Sequence, residues 1–240
     1  MTWTTRQGPE EAAAINSPVK PRPELPPHPP SSPPVLVSPA PIQAPIPMPI
    51  TIQEPKKVKP GSRPASPAEF KRWVLEDPEW YIREVLGQET WDKQVAIVRS
   101  TLHCRRTAVS GCVGSSKTYA AALAVMAFMH AYSPAEVYTT APTFRQVKKV
   151  LWKEIRKIHK RTRIPLGGKL LDTEWKIDDD WFAMGFSSKD PDSVHGVHAR
   201  NILIILDEAQ GIDQDMIDAV ENALAGGNAH LLLLFNPNAA

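Results

Sequence analysis

Eight residues near the middle of the chain carry a pattern that suits the binding of phosphate groups. Residues 111–118 read Gly-Cys-Val-Gly-Ser-Ser-Lys-Thr; they follow the β-prone run Arg106–Ser110 and precede an Ala-rich helical run. A glycine-containing loop between a strand and a helix turns its N–H groups inward, and the helix N-terminus adds partial positive charge. In such a loop Lys117 would contact the β- and γ-phosphates, and the Thr118 hydroxyl would bind Mg²⁺. The remaining residues predicted to cradle the phosphates are Gly111, Gly114, Ser115 and Ser116.

A second motif, further along the chain, supplies the acidic groups that such a site needs. The aliphatic run Asn201–Leu206 leads directly into Asp207 and Glu208. Asp207 would hold Mg²⁺ through water, and Glu208 would orient and deprotonate an attacking water. Together the two motifs predict an enzyme that binds ATP and Mg²⁺ and hydrolyses ATP.

One position of the phosphate loop departs from the usual pattern, which has glycine directly before the lysine. Ser116 stands there instead. Serine is well tolerated if this residue already has helical dihedrals at the start of the helix. It is costly if the position requires a positive φ. The sequence leaves both conformations open.

The elements around these motifs alternate between strand and helix. Strands are predicted at 106–110, 136–141, 201–206 and 230–235, a hairpin at 170–176 and 181–186, and helices at 117–132, 144–163 and 213–225. Such alternation predicts an α/β fold: a P-loop NTPase core with a mostly parallel sheet flanked by helices. The loops after Ser110, Leu206 and Phe235 then meet at the carboxyl ends of the strands, where sites in such sheets lie.

The composition divides the chain into a tail and a domain. Of its 25 prolines, 19 fall in residues 1–67, a stretch without an aromatic residue after Trp3. We expect residues 1–65 to be a Pro-rich disordered tail, either a spacer or docking segment or a leader with no selected role. Residues 66–240 form the ATPase domain, with N-terminal helices over 66–102 and the core over 103–240. Two of these helices should flank Asp77-Pro78, and Ser66 with Glu69 would begin the first.

Charge, cysteine content and hydropathy limit the other possibilities. The 28 basic and 26 acidic side chains nearly balance, so overall charge does not indicate a nucleic-acid partner. Two cysteines without metal-ligand spacing favour a reducing compartment. No apolar signal segment opens the chain, and the longest apolar stretch, 120–131, is too short to span a bilayer. It is better interpreted as a helix buried against the sheet.

Basic side chains are concentrated in one stretch of the chain, although the chain as a whole is nearly neutral. Residues 145–163 contain nine basic side chains against the single acid Glu154. Apolar residues recur at helical spacing along this stretch, so one face should be buried and the rest basic. The basic face could contact DNA phosphates, or it could be a solvated face balanced by the acidic hairpin that follows.

Taken in order, these motifs resemble the ATPase domain of tailed-phage terminase large subunits, the motors that package DNA. The similarity runs over residues 66–238. It includes Trp91 and Gln94 before the phosphate loop, Ala141-Pro-Thr-Phe-Arg-Gln146, Asp190-Pro-Asp-Ser-Val-His-Gly-Val-His-Ala199, and the closing Phe235-Asn-Pro-Asn238.

The resemblance implies roles for three further residues. Gln94 would bind the adenine edge, Asn236 would sense the γ-phosphate, and Arg145 would reach the ATP of a neighbouring subunit. Each residue also has a structural alternative. Gln94 could be an ordinary surface residue of a helix, and Asn236 could form a strand-ending turn before proline. Arg145 could be the first charge of the basic helix. The implied partners are double-stranded DNA, a terminase small subunit, the capsid portal and further copies in a ring, without a membrane, in the host cytoplasm.

The pattern departs from the resemblance at its end. Terminase large subunits continue into a nuclease domain, whereas this sequence stops at Ala240. We therefore expect no nuclease activity from this sequence. We expect it to be a fragment, the product of a truncated prophage gene or one part of a split subunit. Residues 178–180 are interpreted as a solvated acidic tip, not as metal ligands. Two alternative functions stay open: a helicase-like ATPase, which Asp207-Glu208-Ala209-Gln210 would fit, and a non-catalytic nucleotide-binding remnant.

Overall fold

Within the described part of the chain, seven strands form one sheet. They are β1 (Arg106–Ser110), β2 (Glu136–Thr140), β3 (Lys169–Leu170), β4 (Glu174–Asp178), β5 (Trp181–Gly185), β6 (Asn201–Leu206) and β7 (Asn228–Phe235). Their order across the sheet is β1-β7-β6-β2-β5-β4-β3. The strands from β1 to β5 in that order pair in parallel, whereas β4 and β3 continue the sheet antiparallel. The mostly parallel α/β fold predicted from the alternation is confirmed.

This computed structural model describes residues 57–190, 194 and 199–237. The chain divides into two units, residues 1–51 and 52–240, and the described residues all belong to the second. Most of the predicted tail, most of the stretch 190–199 and Asn238 therefore lie outside the described residues. Ordered contacts begin before the first helix, because the Val58 N–H donates to Asp77 Oδ2 at 2.8 Å. The tail boundary at residue 65 stays a prediction.

The first two helices begin at capping residues that the sequence predicts. The regular helices are α1 (Pro67–Glu76), α2 (Pro78–Trp80), α3 (Asp92–His103), α4 (Lys117–Ala131), α5 (Phe144–Gln146), α6 (Trp152–His159) and α7 (Gln214–Ala223). Ser66 Oγ accepts from the Glu69 N–H at 3.2 Å, and Asp77 Oδ1 accepts from the Trp80 N–H at 3.1 Å. These side chains satisfy N–H groups that have no partner within the helix. A π-helical turn, Tyr81–Val85, continues directly from α2.

Both faces of the sheet are covered, and β6 shows this most clearly. Leu203 and Ile205 belong to a core with α1, α3, α4 and α6, whereas the alternate residues Ile204 and Leu206 belong to a second core with α7. Strands buried on both faces have continuous aliphatic sequences, as β6 does. The helix α4 is buried along nearly its whole length between the sheet and the outer helices. The prediction that residues 120–131 form a buried helix is confirmed.

The basic helix, residues 144–159, is one continuous helical run with a π-helical turn, Val147–Leu151, between α5 and α6. This wider turn changes the register of the side chains. Leu151 and Trp152 are fully buried, whereas Val150 stays 45% exposed. The predicted apolar positions Val147, Leu151, Ile155 and Ile158 are buried, and Trp152 joins them.

Candidate functional site

The two predicted motifs meet in one cavity at the carboxyl ends of β1, β6 and β7. The cavity has a volume of about 220 Å³. Its lining residues are Val113, Gly114, Ser115, Ser116, Lys117, Thr118, Asp207, Glu208 and Asn236. Parallel pairing explains the convergence, since Ser110 lies opposite Phe235 and Leu206 lies opposite Leu233 in neighbouring strands. Most residues predicted for the site are thus brought together by the topology of the sheet.

The phosphate loop needs glycine at two positions for different reasons. At Gly111 an added Cβ would lie 2.9 Å from Ser115 Oγ and 3.4 Å from Lys117 Cδ, so a side chain would crowd the loop. Gly114 has a φ of +80°, which glycine adopts without strain. The loop closes on β7 through the Gly111 N–H, which donates to Phe235 O at 3.2 Å. Backbone curvature here is set by these two residues.

Ser116 has the left-handed conformation, with φ 59° and ψ 26°, and its side chain makes no capping hydrogen bond to α4. Of the two conformations that the sequence leaves open, the strained one is present. A non-glycine residue with these dihedrals is destabilised because its Cβ crowds its own carbonyl. Glu208, in the second motif, is also left-handed, with φ 53°. Such strain is concentrated at functional sites, and here both cases lie in one cavity.

The ammonium group of Lys117 is held within the loop by oxygen atoms. Its Nζ donates to Gly111 O at 2.6 Å, Cys112 O at 3.0 Å, Ser115 Oγ at 3.3 Å and Asn236 Oδ1 at 2.9 Å. Three of these acceptors belong to the loop itself, and Asn236 follows β7. A bound phosphate would compete for the same cation, so Lys117 is placed to exchange loop oxygens for phosphate oxygens.

Thr118 and Asp207 form a pair at the start of α4. Thr118 Oγ1 donates to Asp207 Oδ2 at 3.0 Å, and the Glu208 N–H donates to Asp207 Oδ1 at 3.1 Å. The carboxylate is almost fully buried, and this burial raises the pKa of Asp207, with the Thr118 hydrogen bond acting in the opposite direction. A buried carboxylate with few neutralising partners is a ready ligand for a cation.

The residues present fit the Mg²⁺ that the two motifs imply. Thr118 and Asp207 offer a hydroxyl and a carboxylate oxygen side by side, and Mg²⁺ prefers oxygen ligands and retains several waters. Within the described residues there is no group of three or more His, Cys, Asp or Glu side chains that could hold a metal ion without other ligands. Such a site suits an ion that arrives with nucleotide phosphates.

Glu208 is held by a residue to which the sequence analysis assigned no role. Gln146 Nε2 donates to Glu208 Oε2. The other end of the same amide accepts from the Thr143 N–H at 3.0 Å and from Thr143 Oγ1 at 2.5 Å. The pattern Thr-x-x-Gln is a capping box, which signals a helix start but does not reveal a contact across 62 residues.

Asn236 lies at the end of β7 and contacts both motifs. Its side chain accepts from Lys117, and its backbone N–H donates to Gln210 Oε1 at 3.3 Å. Gln210 belongs to the 3₁₀ turn Ala209–Gly211 that directly follows Glu208. A group bound at Lys117 would therefore act on the end of β7 through one hydrogen bond.

Three predicted site residues do not line this cavity: Gly111, which begins the loop, Gln94 and Arg145. Gln94 is 6% exposed and its Oε1 accepts from the Trp91 N–H at 3.3 Å, so its side chain caps the start of α3. The expected alternative of an ordinary surface helix residue is wrong for Gln94, because the residue is buried. Arg145 is exposed on α5, directly before Gln146, the residue that donates to Glu208. The adenine-binding role of Gln94 and the trans-acting role of Arg145 stay predictions.

Within the described residues the acidic hairpin contributes one ion pair to the basic helix, and this pair does not come from the hairpin tip. Residues 178–180 are exposed, and Asp179 pairs with Lys176 of its own hairpin at 2.5 Å. The helix instead gains one acidic partner from the loop before β4, where Lys148 Nζ lies 2.6 Å from Asp172 Oδ2. The hydrogen bond from Lys148 lowers the pKa of Asp172. Among the described residues, no ion pair engages Arg145, Lys149 or Lys153.

No helix in the described residues combines the length and the apolar character needed to cross a bilayer.

Comparison with known proteins identifies the fold through structure alone. No protein-family model and no curated protein sequence matches the chain. The large terminase of a thermophilic bacteriophage matches with a TM-score of 0.52 and 15% identity, over 62% of this chain and 40% of that one. An arginine-to-alanine variant of the Thermus phage P74-26 large terminase ATPase domain matches with a TM-score of 0.50 and 22% identity, over 69% of this chain and 71% of that one.

The chain thus spans about two fifths of the first of these terminases and about seven tenths of the isolated P74-26 domain. At these identities the likeness concerns the fold and the order of its elements. This chain has the fold of the ATPase domain of bacteriophage large terminases.

Proposed function

We propose that this chain is the ATP-hydrolysing motor domain of a phage or prophage terminase large subunit, which drives packaging of double-stranded DNA. The observation that carries the proposal is the single cavity in which Lys117, Thr118, Asp207, Glu208 and Asn236 converge. Each offers a group that phosphoryl transfer to water requires, and they come from three separate strand ends. The shared fold of phage terminase ATPase domains supports the same function.

The first part of the chemistry is neutralisation of the phosphates. Lys117 would release its loop oxygens and donate to the β- and γ-phosphates, while the N–H groups of the loop and the N-terminus of α4 face the same anion. Thr118 and Asp207 would hold Mg²⁺, which when bound neutralises charge on the phosphate oxygens. The loop thereby fixes the direction of the terminal phosphate before any bond is broken.

The second part is activation of water. Glu208 lines the cavity and presents a carboxylate beside the position that Thr118 and Asp207 define. A carboxylate there accepts a proton from water as the oxygen attacks the terminal phosphorus, and the bond to the leaving phosphate breaks. Asn236 Oδ1 accepts a hydrogen bond from the Lys117 ammonium. Loss of the terminal phosphate would change the contacts of Lys117 and, through this hydrogen bond, the position of Asn236 after β7. This is the coupling role that we assign to Asn236.

Measurement of ATP turnover with and without DNA tests the proposal. We expect turnover in the wild type, none in Lys117→Ala, and a fall of about 10²–10⁴-fold in Glu208→Gln with nucleotide binding retained. Lys93→Ala, an exposed lysine outside the cavity, is the matched control and should be unchanged. Wild-type turnover at the Lys117→Ala level would show a non-catalytic remnant. Stimulation by single-stranded DNA alone would instead favour a helicase-like ATPase.

The basic helix is the surface that we propose for double-stranded DNA. Its exposed cations include Lys149 and Lys153, neither of them in an ion pair among the described residues. Point charges on a helix face suit phosphates and carry no sequence information, as a motor that moves along any sequence requires. A Lys149→Ala/Lys153→Ala variant should bind duplex DNA more weakly at low salt and show a shallower salt dependence. Equal binding by this variant and by Lys93→Ala would contradict the assignment.

The finer parts of the proposal concern assembly. We assign Arg145 to the ATP site of a neighbouring copy in a ring, since it is exposed beside the edge of the sheet that carries the cavity. A terminase small subunit and the capsid portal are the proposed partners in the cytoplasm of the host cell. Gln94 is proposed to reach the adenine edge, which requires that it exchange its contact with the Trp91 N–H.

A further inference from the structure

The hydrogen bond between Gln146 and Glu208 joins two segments that the sequence analysis treated separately. Gln146 lies in α5, at the start of the basic helix, whereas Glu208 follows β6. Both side chains are half-buried, and Glu208 lines the cavity while Gln146 does not. Gln146 therefore contacts the Glu208 carboxylate from outside the cavity that a nucleotide would fill.

The direction of this hydrogen bond is fixed by its surroundings. A glutamine amide can be placed either way round, but a backbone N–H is always a donor. The Thr143 N–H donates to Gln146 Oε1 at 3.0 Å, so that end of the amide must be the oxygen. The NH₂ group then faces the Glu208 carboxylate, which can only accept while ionised.

Resting on the proposed function, we infer that Gln146 is a positioning residue for Glu208. The amide holds Oε2 and leaves the other carboxylate oxygen to accept a proton from water. It also restrains a side chain whose backbone is in the strained left-handed conformation, with φ 53°. A carboxylate that is already held by one oxygen has less rotational freedom to lose than an unrestrained one when it aligns the attacking water. Such alignment contributes directly to the rate.

The same bond relates the carboxylate to the basic helix. Gln146 is part of α5, and residues 144–159 continue as one helical run into the proposed DNA surface. A shift of that helix would displace the amide and with it the Glu208 carboxylate. The position of the catalytic base thus depends on the position of the helix that carries the exposed cations.

Two substitutions at Gln146 separate positioning from helix capping. Gln146→Glu keeps an oxygen for the Thr143 N–H, and glutamate serves a capping box as well as glutamine does. It replaces the NH₂ group with an oxygen that repels the Glu208 carboxylate. Gln146→Ala removes both contacts. If Gln146 only caps the helix, Gln146→Glu should behave like the wild type and Gln146→Ala should not.

We expect kcat for ATP to fall about 10-fold or more in both variants, with KM within about 2-fold, because an aligned base is worth about 10²–10⁴ in rate. In a Glu208→Gln background neither substitution should lower kcat further, since the group that they position is gone. Wild-type kcat in Gln146→Glu, or full additivity with Glu208→Gln, would overturn the inference. Thermal unfolding measured in parallel shows whether each variant is folded.

The split between kcat and KM is the readout that a purely structural role would not move. A loss of helix capping alone would lower stability, whereas a misplaced carboxylate lowers kcat and leaves KM nearly unchanged. If the wild type shows no turnover above that of Lys117→Ala, the proposed function fails instead, so the two failures are distinguishable.

Discussion

Replacement of Ser116 by glycine should stabilise this protein, although the residue lies in the centre of its proposed active site. Ser116 has φ 59° and ψ 26°, and its side chain makes no capping hydrogen bond. An L-residue in this region is destabilised by roughly 1–2 kcal/mol relative to right-handed helical backbone. Glycine avoids that penalty but gains freedom in the unfolded chain, which lowers stability by roughly 0.5–1 kcal/mol. The expected net gain in the free energy of unfolding is about 0.5–1 kcal/mol.

For a domain of this size such a gain corresponds to an increase in Tm of about 1–4 °C. The measurement is thermal or urea unfolding of the nucleotide-free protein, with Ser116→Ala and Ser110→Gly as controls. Ser116→Ala keeps the strained backbone and removes only a hydroxyl, so it should be close to neutral. Ser110→Gly lies in β1, where glycine relieves no strain and should lower stability by about 0.5–1 kcal/mol.

Nucleotide affinity of Ser116→Gly should be equal to or tighter than that of the wild type, because the cavity contacts of Lys117 and Thr118 do not use the Ser116 side chain. A destabilisation like that of Ser110→Gly would refute the argument from backbone strain. A severe loss of nucleotide binding with normal stability would show that the Ser116 hydroxyl itself contacts the nucleotide.

Two further outcomes follow from the site. Asp207→Asn should raise the free energy of unfolding at neutral pH without nucleotide. Burial raises the pKa of Asp207 in the folded protein. The wild type therefore loses stability as the pH rises from the ordinary aspartate pKa to that raised pKa. The difference between Asp207→Asn and wild type should vanish at a pH low enough to protonate Asp207, and equal stability at every pH would contradict this. For Arg145, a mixture of Arg145→Ala and Lys117→Ala subunits should recover turnover that neither variant has alone, because an intact arginine meets an intact phosphate loop at some interfaces. A mixture that assembles but stays inactive, or normal turnover by Arg145→Ala alone, would exclude action between subunits.

The sequence was most informative where burial dictates the pattern. The aliphatic run of β6 and the Ala-rich α4 are buried on all sides, so their residue types predict both the element and its place in the sheet. The order of motifs then predicts that Lys117, Thr118, Asp207, Glu208 and Asn236 meet at one edge, which is where the structure places them.

Contacts between distant segments were beyond the same reasoning. The amide of Gln146 signals a helix start, and only the folded chain brings it to Glu208, 62 residues away. The conformation of Ser116 depends on the path of the loop between β1 and α4, which residue propensity does not specify. The π-helical turn Val147–Leu151 has the composition of an ordinary helix, so the inward turn of Trp152 became apparent only in the folded chain.

The strand order also governs when the phosphate loop can form during synthesis. Among the described residues, β1 has β7 as its strand neighbour, with Arg106 opposite Leu231 and Ser110 opposite Phe235. The loop that follows β1 is tied to that same strand through Gly111 and Phe235. A nascent chain that has completed β1, α4 and even β6 therefore still lacks the strand that separates β1 from the rest of the sheet. Because pairing across so long a stretch forms slowly, nucleotide binding should appear late and abruptly in folding, as a marker that β7 has been inserted.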